Sequence, residues 1–407
     1  MSARRVRLGA DRLLAGEVDL GGRRWGLLTN YTGTTSTLEL TSVKLAESTA
    51  PLVALLSPEH GVRGTVQAGE SEVSAHDPLT GLPVLDTYQL SDEALDAAIG
   101  MLDIDTLLVD LQDIGARFYT YVWSMVDCLR SAARLGIRVV ILDRPNPLGG
   151  VVVSGPGLAP GFDSFVGRLD VPIRHGLTIG ELGRVAAALD RAEGEAAPDP
   201  EVVTMSGWRR EMLWADTGLE WVLPSPNMPT PETALVFVGT ALFEGTTLSE
   251  GRGTTRPFEL VGAPWLDQRW AADLNSRELP GVHFRPTWFQ PTFSKWAGTP
   301  VGGVQVHVTN RDTFDPLRVG TQMLLAAHRA PVPGDQTGGD QSGEFAWREP
   351  AWEGDHQRPH FIDLLWGSDR LRHLIDDDDE SGLAEELAKA AQLRQRDEAL
   401  LLYERGH

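Results

Sequence analysis

A chain of 407 residues is long for a single core, so two packed domains are expected. Hydrophobic residues make up 42% and charged residues 23%, the balance of a globular chain rather than a disordered one. Its 57 acidic and 36 basic residues leave a formal charge of −21, a field that repels nucleic acid and anionic lipid, and no Lys/Arg cluster is long enough to override it. One cysteine excludes an internal disulfide framework, and Cys128 falls in the apolar stretch "YVWSMVDCLRSAARL", which marks a buried structural thiol. No apolar run approaches membrane-spanning length. The N-terminal "MSARRVRLGADRLLAG" has arginines but no long apolar core and no small-residue cleavage site, so the chain reads as cytoplasmic.

In chain order, short apolar runs alternate with amphipathic stretches. The runs are "RWGLLTN", "PLVALLSPEHG", "DTLLVDLQD" and "RVVILDRPNP". The stretches include "SDEALDAAIGML" and "GARFYTYVWSMVDCLRSAARLG", the second closing on Gly136 as a helix stop, and "LTIGELGRVAAALDRAEG", where Thr178 and Glu181 have capping-box spacing. This alternation predicts α/β architecture with a parallel sheet, a Rossmann-like N-terminal domain over residues 1–230. After the Pro-rich "WVLPSPNMPTPE" come the apolar run "TALVFVGTALFEG", read as a strand, and the Gly-rich "GTTLSEGRGTTRPFE". Two further strands, "GVHFRPTWF" and "VGGVQVHVTN", and a helix, "PLRVGTQMLLAAHRA", complete a smaller α/β or α+β domain over 231–407. "PVPGDQTGGDQSGE" reads as a surface loop, "IDDDDESG" as a solvated acidic turn and "LAEELAKAAQLRQRDEALLLY" as a terminal helix. No repeat of solenoid period is present.

Ligands of parallel α/β sheets bind outside the carboxyl ends of the strands. All four early runs end in polar residues: Thr29-Asn30, Glu59-His60, Asp110 with Gln112, and Asp143-Arg144 with Asn146. Pro58 and Pro145 fix the local backbone and Gly61 permits a sharp departure. Glu59 is the strongest candidate. A carboxylate between Pro58 and His60, at the edge of an apolar strand, can be raised in pKa by desolvation and act as a general acid. Asp110 ends a buried run and must be bonded or paired, so a structural role competes with a catalytic one. Asp113 precedes a helix as an expected N-cap, and Asp143 and Arg144 can pair with each other. His60 and His175 serve equally as hydrogen-bonding scaffold. Farther along, Glu244, Glu250 and Arg252 stand among small residues in "FEGTTLSEGRGTT". Glycoside hydrolysis uses an acid and usually a second carboxylate, and Glu59 with Glu250 or Glu244 would supply that pair. Trp208, Trp214 and Trp221 fall close together and have faces suited to sugar rings, though tryptophan more often packs a core.

The ordered blocks "GLLTNYTG", "SPEHGVRG…AGE", "TGLPV", "VDLQDIGARFYTY", "LDRPNPLGG", "PSPNMPT", "ALFEGTTLSEGRGTTRPFE" and "GAPW" resemble those of the NamZ family of exo-β-N-acetylmuramidases. The resemblance runs from about residue 24 to the terminal "LLLY". It implies a Rossmann-like domain, a smaller C-terminal domain and an active cleft between them. It also implies release of N-acetylmuramic acid from the non-reducing ends of peptidoglycan fragments, without a metal or cofactor. On this resemblance Glu59 is the catalytic glutamate of "PEHG". His60, Glu250 and Asp110 are further catalytic candidates. Asn30, Arg63, Gln112, Arg117, Asn146, Asn227, Glu244 and Arg252 are candidates for substrate binding. Among these, Arg63, Arg117 or Arg252 would hold the lactyl carboxylate that distinguishes muramic acid. The expected partner is a peptidoglycan-derived sugar or muropeptide, with oligomeric state left open. Family members are often exported, whereas this chain reads as cytoplasmic, and the Gly/Asp-rich insertion after Pro331 has no counterpart in the family pattern.

Two other classes compete. A metal-dependent hydrolase would use Glu59, His60, Asp110 and His175, although no compact ligand motif is present and "HQRPH" has a proline in its spacing. A non-catalytic muropeptide-binding protein could share the two-domain plan. A nicotinamide enzyme is disfavoured, because "TNYTGTTS" rather than a Gly-rich fingerprint follows the first strand.

Overall fold

The computed structural model describes residues 5–65, 76–90, 92–330, 344–349 and 359–404. The insertion after Pro331, the "AGE" block and part of "HQRPH" lie outside these residues. Packing divides the chain into two units that are discontinuous in sequence, unlike the continuous 1–230 and 231–407. Met1–Val153, His175–Pro226 and Arg394–His407 form one, Ser154–Arg174 and Asn227–Leu393 the other.

The first unit is built on six parallel strands, β1 (Trp25–Thr29), β2 (Leu52–Ser57), β3 (Val84–Asp86), β4 (Thr106–Asp110), β5 (Arg138–Leu142) and β6 (Glu201–Val203), in the order β3-β2-β1-β4-β5-β6. This is a Rossmann-like sheet. Its switch in strand order lies between β1 and β4, whose registers pair Thr29 with Asp110. Residues of β1 and β4 are buried throughout, which explains continuous apolar runs in place of alternation. Leu27, Leu55, Leu108, Val140, Leu142 and Val203 meet in one core cluster. The four strands expected from the sequence are present. The two outermost strands, β3 and β6, are three residues each, too short to carry a period. Helices Asp92–Gly100, Tyr121–Leu135 and Ile179–Ala192 fall where periodicity puts them. Gly136 closes the second in the left-handed conformation (φ 67°), and Thr178 and Glu181 form the capping box of the third. Cys128 is fully buried, and burial pushes its thiol well above the usual range.

The second unit contains a three-stranded antiparallel sheet of β7 (Leu260–Ala263), β8 (Val282–Phe289) and β9 (Val301–Val308), in the order β7-β9-β8. One expectation is overturned here. "TALVFVG" is a helix, Pro231–Thr240, started by Thr230 accepting from the Thr233 N–H and by Pro231 in the first turn. Every residue from Thr233 to Thr240 is buried, so the helix is apolar all round and imitates a buried strand in sequence. It packs on helix Pro316–His328 at backbone distance: a Cβ on Gly239 would lie 1.9 Å from the Pro316 carbonyl oxygen, and one on Gly320 would lie 2.4 Å from that of Gly239. The acidic turn is partly bridged, with Arg329 reaching Asp378 at 2.5 Å and Glu380 at 2.9 Å. The terminal segment breaks into helices Glu380–Ala388 and Ala390–Asp397.

Asp143, just beyond β5, does not pair with the Arg144 guanidinium. Its buried carboxylate accepts N–H groups of Arg144 (3.0 Å) and Gly180 (2.9 Å) and hydroxyls of Thr178 (2.9 Å) and Tyr403 (2.5 Å). It thereby ties the C-terminal "LLLY" to the sheet. Desolvation outweighs these donors and pushes Asp143 up to about 7. The folded state thus holds a proton that the unfolded chain releases near pH 4, so this residue's contribution to stability falls as pH rises from about 4 to 7. Asp143→Asn removes that titration. Denaturant unfolding at pH 4 and pH 7 should show wild type losing up to about 4 kcal/mol relative to the variant across this window; parallel curves would refute the assignment.

Candidate active site

The carboxyl ends of three neighbouring strands deliver Tyr31, Glu59 and Tyr88, following β1, β2 and β3. The start of helix Tyr121–Leu135, reached after β4, adds Tyr119, Thr120 and Tyr121. Glu59 is 6% exposed. The Thr120 hydroxyl donates to its Oε2, and the Tyr88 hydroxyl stands 3.5 Å from its Oε1. Tyr119 and Tyr121 pack edge to face at 4.9 Å, and the His60 ring meets Tyr121 edge-on at 6.2 Å. Burial pushes Tyr31 up to about 12; burial and then the charge of Glu59 do the same to Tyr88. Three of the chain's five tyrosines, Tyr88, Tyr119 and Tyr121, therefore lie within the field of this one carboxylate, and Tyr31 joins them through Tyr121.

The turn that presents Glu59 is unusual. His60 has φ 71°, Gly61 φ 75° and Gly64 φ 66°, so a β-turn closed by the Gly61 N–H on the Pro58 carbonyl (3.1 Å) continues through left-handed residues. A non-glycine residue in that region costs on the order of 1 kcal/mol, and His60 accepts it while burying its ring. At Gly64 any Cβ would lie 1.7 Å from the Tyr31 ring, so the glycine is required for the tyrosine to pack there.

Several expected residues are buried and engaged in internal contacts. Asp110 is fully buried, and Arg144 takes both its oxygens, Nε at 2.6 Å and Nη2 at 3.0 Å, in a buried ion pair. Asn146 is 1% exposed, and its amide donates to the Leu177 carbonyl (2.9 Å) and accepts the Leu148 N–H (2.9 Å). The Gln112 amide donates to the carbonyls of Asp113 (2.7 Å) and Pro145 (2.9 Å). Asp113 is not a helix cap, since the helix starts at Tyr121; it accepts from Gly115 N–H (2.7 Å) and lies 3.2 Å from His175 Nε2. His175 Nδ1 in turn accepts the Leu177 N–H at 3.1 Å. Asn30 folds its oxygen onto Thr32 N (3.0 Å) and Oγ1 (2.6 Å). Among the described residues, Asn30 Nδ2, Gln112 Oε1 and Asp113 Oδ1 are buried without a hydrogen-bond partner, all beside the strand-order switch. The cleft that Gln112 and Arg144 line there holds only about 20 Å³, room for one water and not for a sugar. Arg117 is 1% exposed, whereas Arg63, four residues past Glu59, is exposed. Trp208 packs on Tyr403 and Trp214 on Trp221, each at 4.9 Å and edge to face, so both serve the core. Glu59, His60, Asp110 and His175 do not assemble a metal site: Asp110 is consumed by Arg144, and among the described residues no three His, Cys, Asp or Glu side chains are grouped to hold a metal ion.

In the second unit, Glu250 is 2% exposed, 2.9 Å from Lys295 Nζ and 3.4 Å from Arg252 Nε. Burial alone would raise Glu250; the two cations overcome it and hold the carboxyl below the usual range. Arg252 also reaches Glu244 at 3.1 Å and covers the Phe258 ring at 5.0 Å. Lys295 donates further to the carbonyls of Phe243 (2.7 Å) and Leu248 (2.8 Å), and Trp296 Nε1 to that of Thr247 (2.8 Å). "SKW" thus staples the glutamate loop, with Ser294 and Trp296 both at positive φ. Sequence reasoning passed over Lys295, because nothing in its spacing ties it to a loop some fifty residues earlier. Asn227, at the start of this unit's long segment, is 5% exposed.

Family models for the N-terminal and C-terminal parts of the exo-β-N-acetylmuramidase NamZ match residues 25–232 and 235–403. A peptidoglycan β-N-acetylmuramidase NamZ of Bacillus subtilis (strain 168) is 45% identical over 327 residues, 80% of this chain and 78% of that protein. Two crystal structures of DUF1343 family proteins from Bacteroides fragilis NCTC 9343 share the fold. One has TM-score 0.81 and 31% identity, the other 0.71 and 27%, and each comparison covers 98% of this chain and 99% of the other. Strand-end blocks, fold and these matches agree, and the chain belongs to the NamZ exo-β-N-acetylmuramidase family.

Proposed function

We propose that Glu59 is the general acid of this glycoside hydrolase, which releases N-acetylmuramic acid from the non-reducing end of peptidoglycan fragments. The activity is that of the family. The observation that carries the residue assignment is Glu59 at a strand's carboxyl end, held by hydroxyls of Thr120 and Tyr88 and walled by tyrosines. Such a shell orients a carboxyl group and limits its hydration. In the reaction, the Glu59 proton passes to the glycosidic oxygen as the bond from that oxygen to the anomeric carbon breaks. The resulting carboxylate later takes a proton from the water that completes hydrolysis.

Asp110 and Glu250 are each committed to cations, which disfavours either as a nucleophile and supports attack by the substrate's own 2-acetamido oxygen. Arg63, exposed and close in sequence to Glu59, suits the lactyl carboxylate.

Glu59→Gln should lower turnover of a muramic-acid-terminated disaccharide by at least about 10³-fold with an unchanged melting curve; near-normal turnover removes Glu59 from the scheme. A muramide whose 2-acetamido group is replaced by hydroxyl should bind yet turn over at least about 10²-fold more slowly, and equal turnover would point to an enzymic nucleophile. Arg63→Ala should cut the preference for muramic acid over N-acetylglucosamine by about ten-fold or more, and full retention of that preference would exclude Arg63 as its reader.

A further inference from the structure

Thr120 occupies the N-cap position of helix Tyr121–Leu135, yet its side chain makes no capping hydrogen bond; its hydroxyl goes to Glu59 Oε2 instead. A helix start that gives up a side-chain cap forgoes on the order of 1 kcal/mol, so the alternative contact needs a reason. The other carboxyl oxygen, Oε1, faces the Tyr88 hydroxyl at 3.5 Å. The two hydroxyls come from different elements, Tyr88 from the end of β3 and Thr120 from the segment after β4, and meet the two oxygens of one carboxyl group. Tyr88 and Thr120 are each half-buried, whereas Tyr119 and Tyr121 behind them are buried.

We propose that Thr120 and Tyr88 are positioning residues for proton transfer: Thr120 donates to Oε2 and thereby leaves the transferable proton on Oε1, and Tyr88 supports Oε1 once that proton has gone. This rests on the reading of Glu59 as general acid. Hydroxyl O–H bonds to an ionised carboxylate are stronger than those to a neutral acid, so both contacts gain strength as the proton leaves. The long Tyr88 contact is the one with room to shorten as charge develops on Oε1. Tyr119, Tyr121 and His60 pack around the same site and supply its walls, with Tyr31 against Tyr121.

A general acid matters most when the leaving group is poor, and this separates positioning from packing. The test compares Thr120→Val, Thr120→Ser, Tyr88→Phe and Glu59→Gln on two substrates: the muramic acid–N-acetylglucosamine disaccharide and a 4-nitrophenyl muramide, whose leaving group departs without protonation. Thr120→Val should lose about 10- to 100-fold in kcat on the disaccharide but less than about three-fold on the aryl glycoside. Thr120→Ser should recover most of that loss, and Tyr88→Phe should show the same substrate split at about five- to ten-fold. Equal losses on both substrates, or wild-type rates in both Thr120→Val and Tyr88→Phe, overturn the proposal. If Glu59→Gln is impaired on the disaccharide in those cases, the general-acid reading survives alone. Wild-type activity of Glu59→Gln sinks both. Should Thr120→Val melt early, Tyr88→Phe, which deletes one oxygen at the site rim, decides by itself.

Discussion

The cost of taking a carboxylate out of water organises this molecule. Each unit buries acids, and each buried acid must be compensated by whatever its neighbours provide. Asp110 takes both arms of Arg144 across from β4, and Glu181 takes both arms of Arg210 at 2.7 and 3.0 Å. Glu250 takes Lys295 and Arg252, and Asp363 takes Arg372 at 3.0 Å. These pairs fix strand ends, helix starts and loops, and in doing so they commit the acids to cations. Asp143 is compensated by hydroxyls and amides and sits near neutrality. The hydroxyls on Glu59 belong to the same solution in kind, but they are placed at half-buried positions beside the strand ends.

That rule explains which parts of the site were legible in the sequence. The strand-end pattern revealed the right edge of the sheet, because a parallel strand is an apolar run and its end is where polarity returns. Glu59 could be singled out from Pro58 and Gly61 alone. The partners could not, since whether Asp110 meets Arg144 or Asp143 meets Arg144 depends on strand order and side-chain direction, neither of which a period of two encodes. The same blindness hid the backbone carbonyls to which the Asn146 and Gln112 amides donate.

Other misreadings came from local rules losing to tertiary burial. Helix Pro231–Thr240 has an N-cap and an N-terminal proline, yet its uniformly apolar sequence looked like a strand because both readings bury every residue. Strands β3 and β6 are too short for any pattern, and their existence follows from having a neighbour to pair with. The tyrosines carried a signal that was visible but weighed in the wrong direction. The close spacing of Trp208, Trp214 and Trp221 pointed to tryptophan, while with only five tyrosines in the chain their recurrence at Tyr31, Tyr88, Tyr119 and Tyr121 is the more informative fact.

Precision at the site depends on backbone that the chain would not adopt unaided. His60 and Gly61 run left-handed in succession, and Gly64 yields its side-chain space to Tyr31. In the second unit Ser294 and Trp296 pay the same kind of conformational cost so that Lys295 can donate to two carbonyls of one loop and sit 2.9 Å from the Glu250 carboxylate. Strain of this kind persists only where surrounding contacts over-determine it. Here those contacts are the tyrosine wall in one unit and the lysine staple in the other. The energy stored in these turns is therefore evidence of where each fold spends stability: on the segment that carries Glu59 in one unit and on the loop that carries Glu250 in the other.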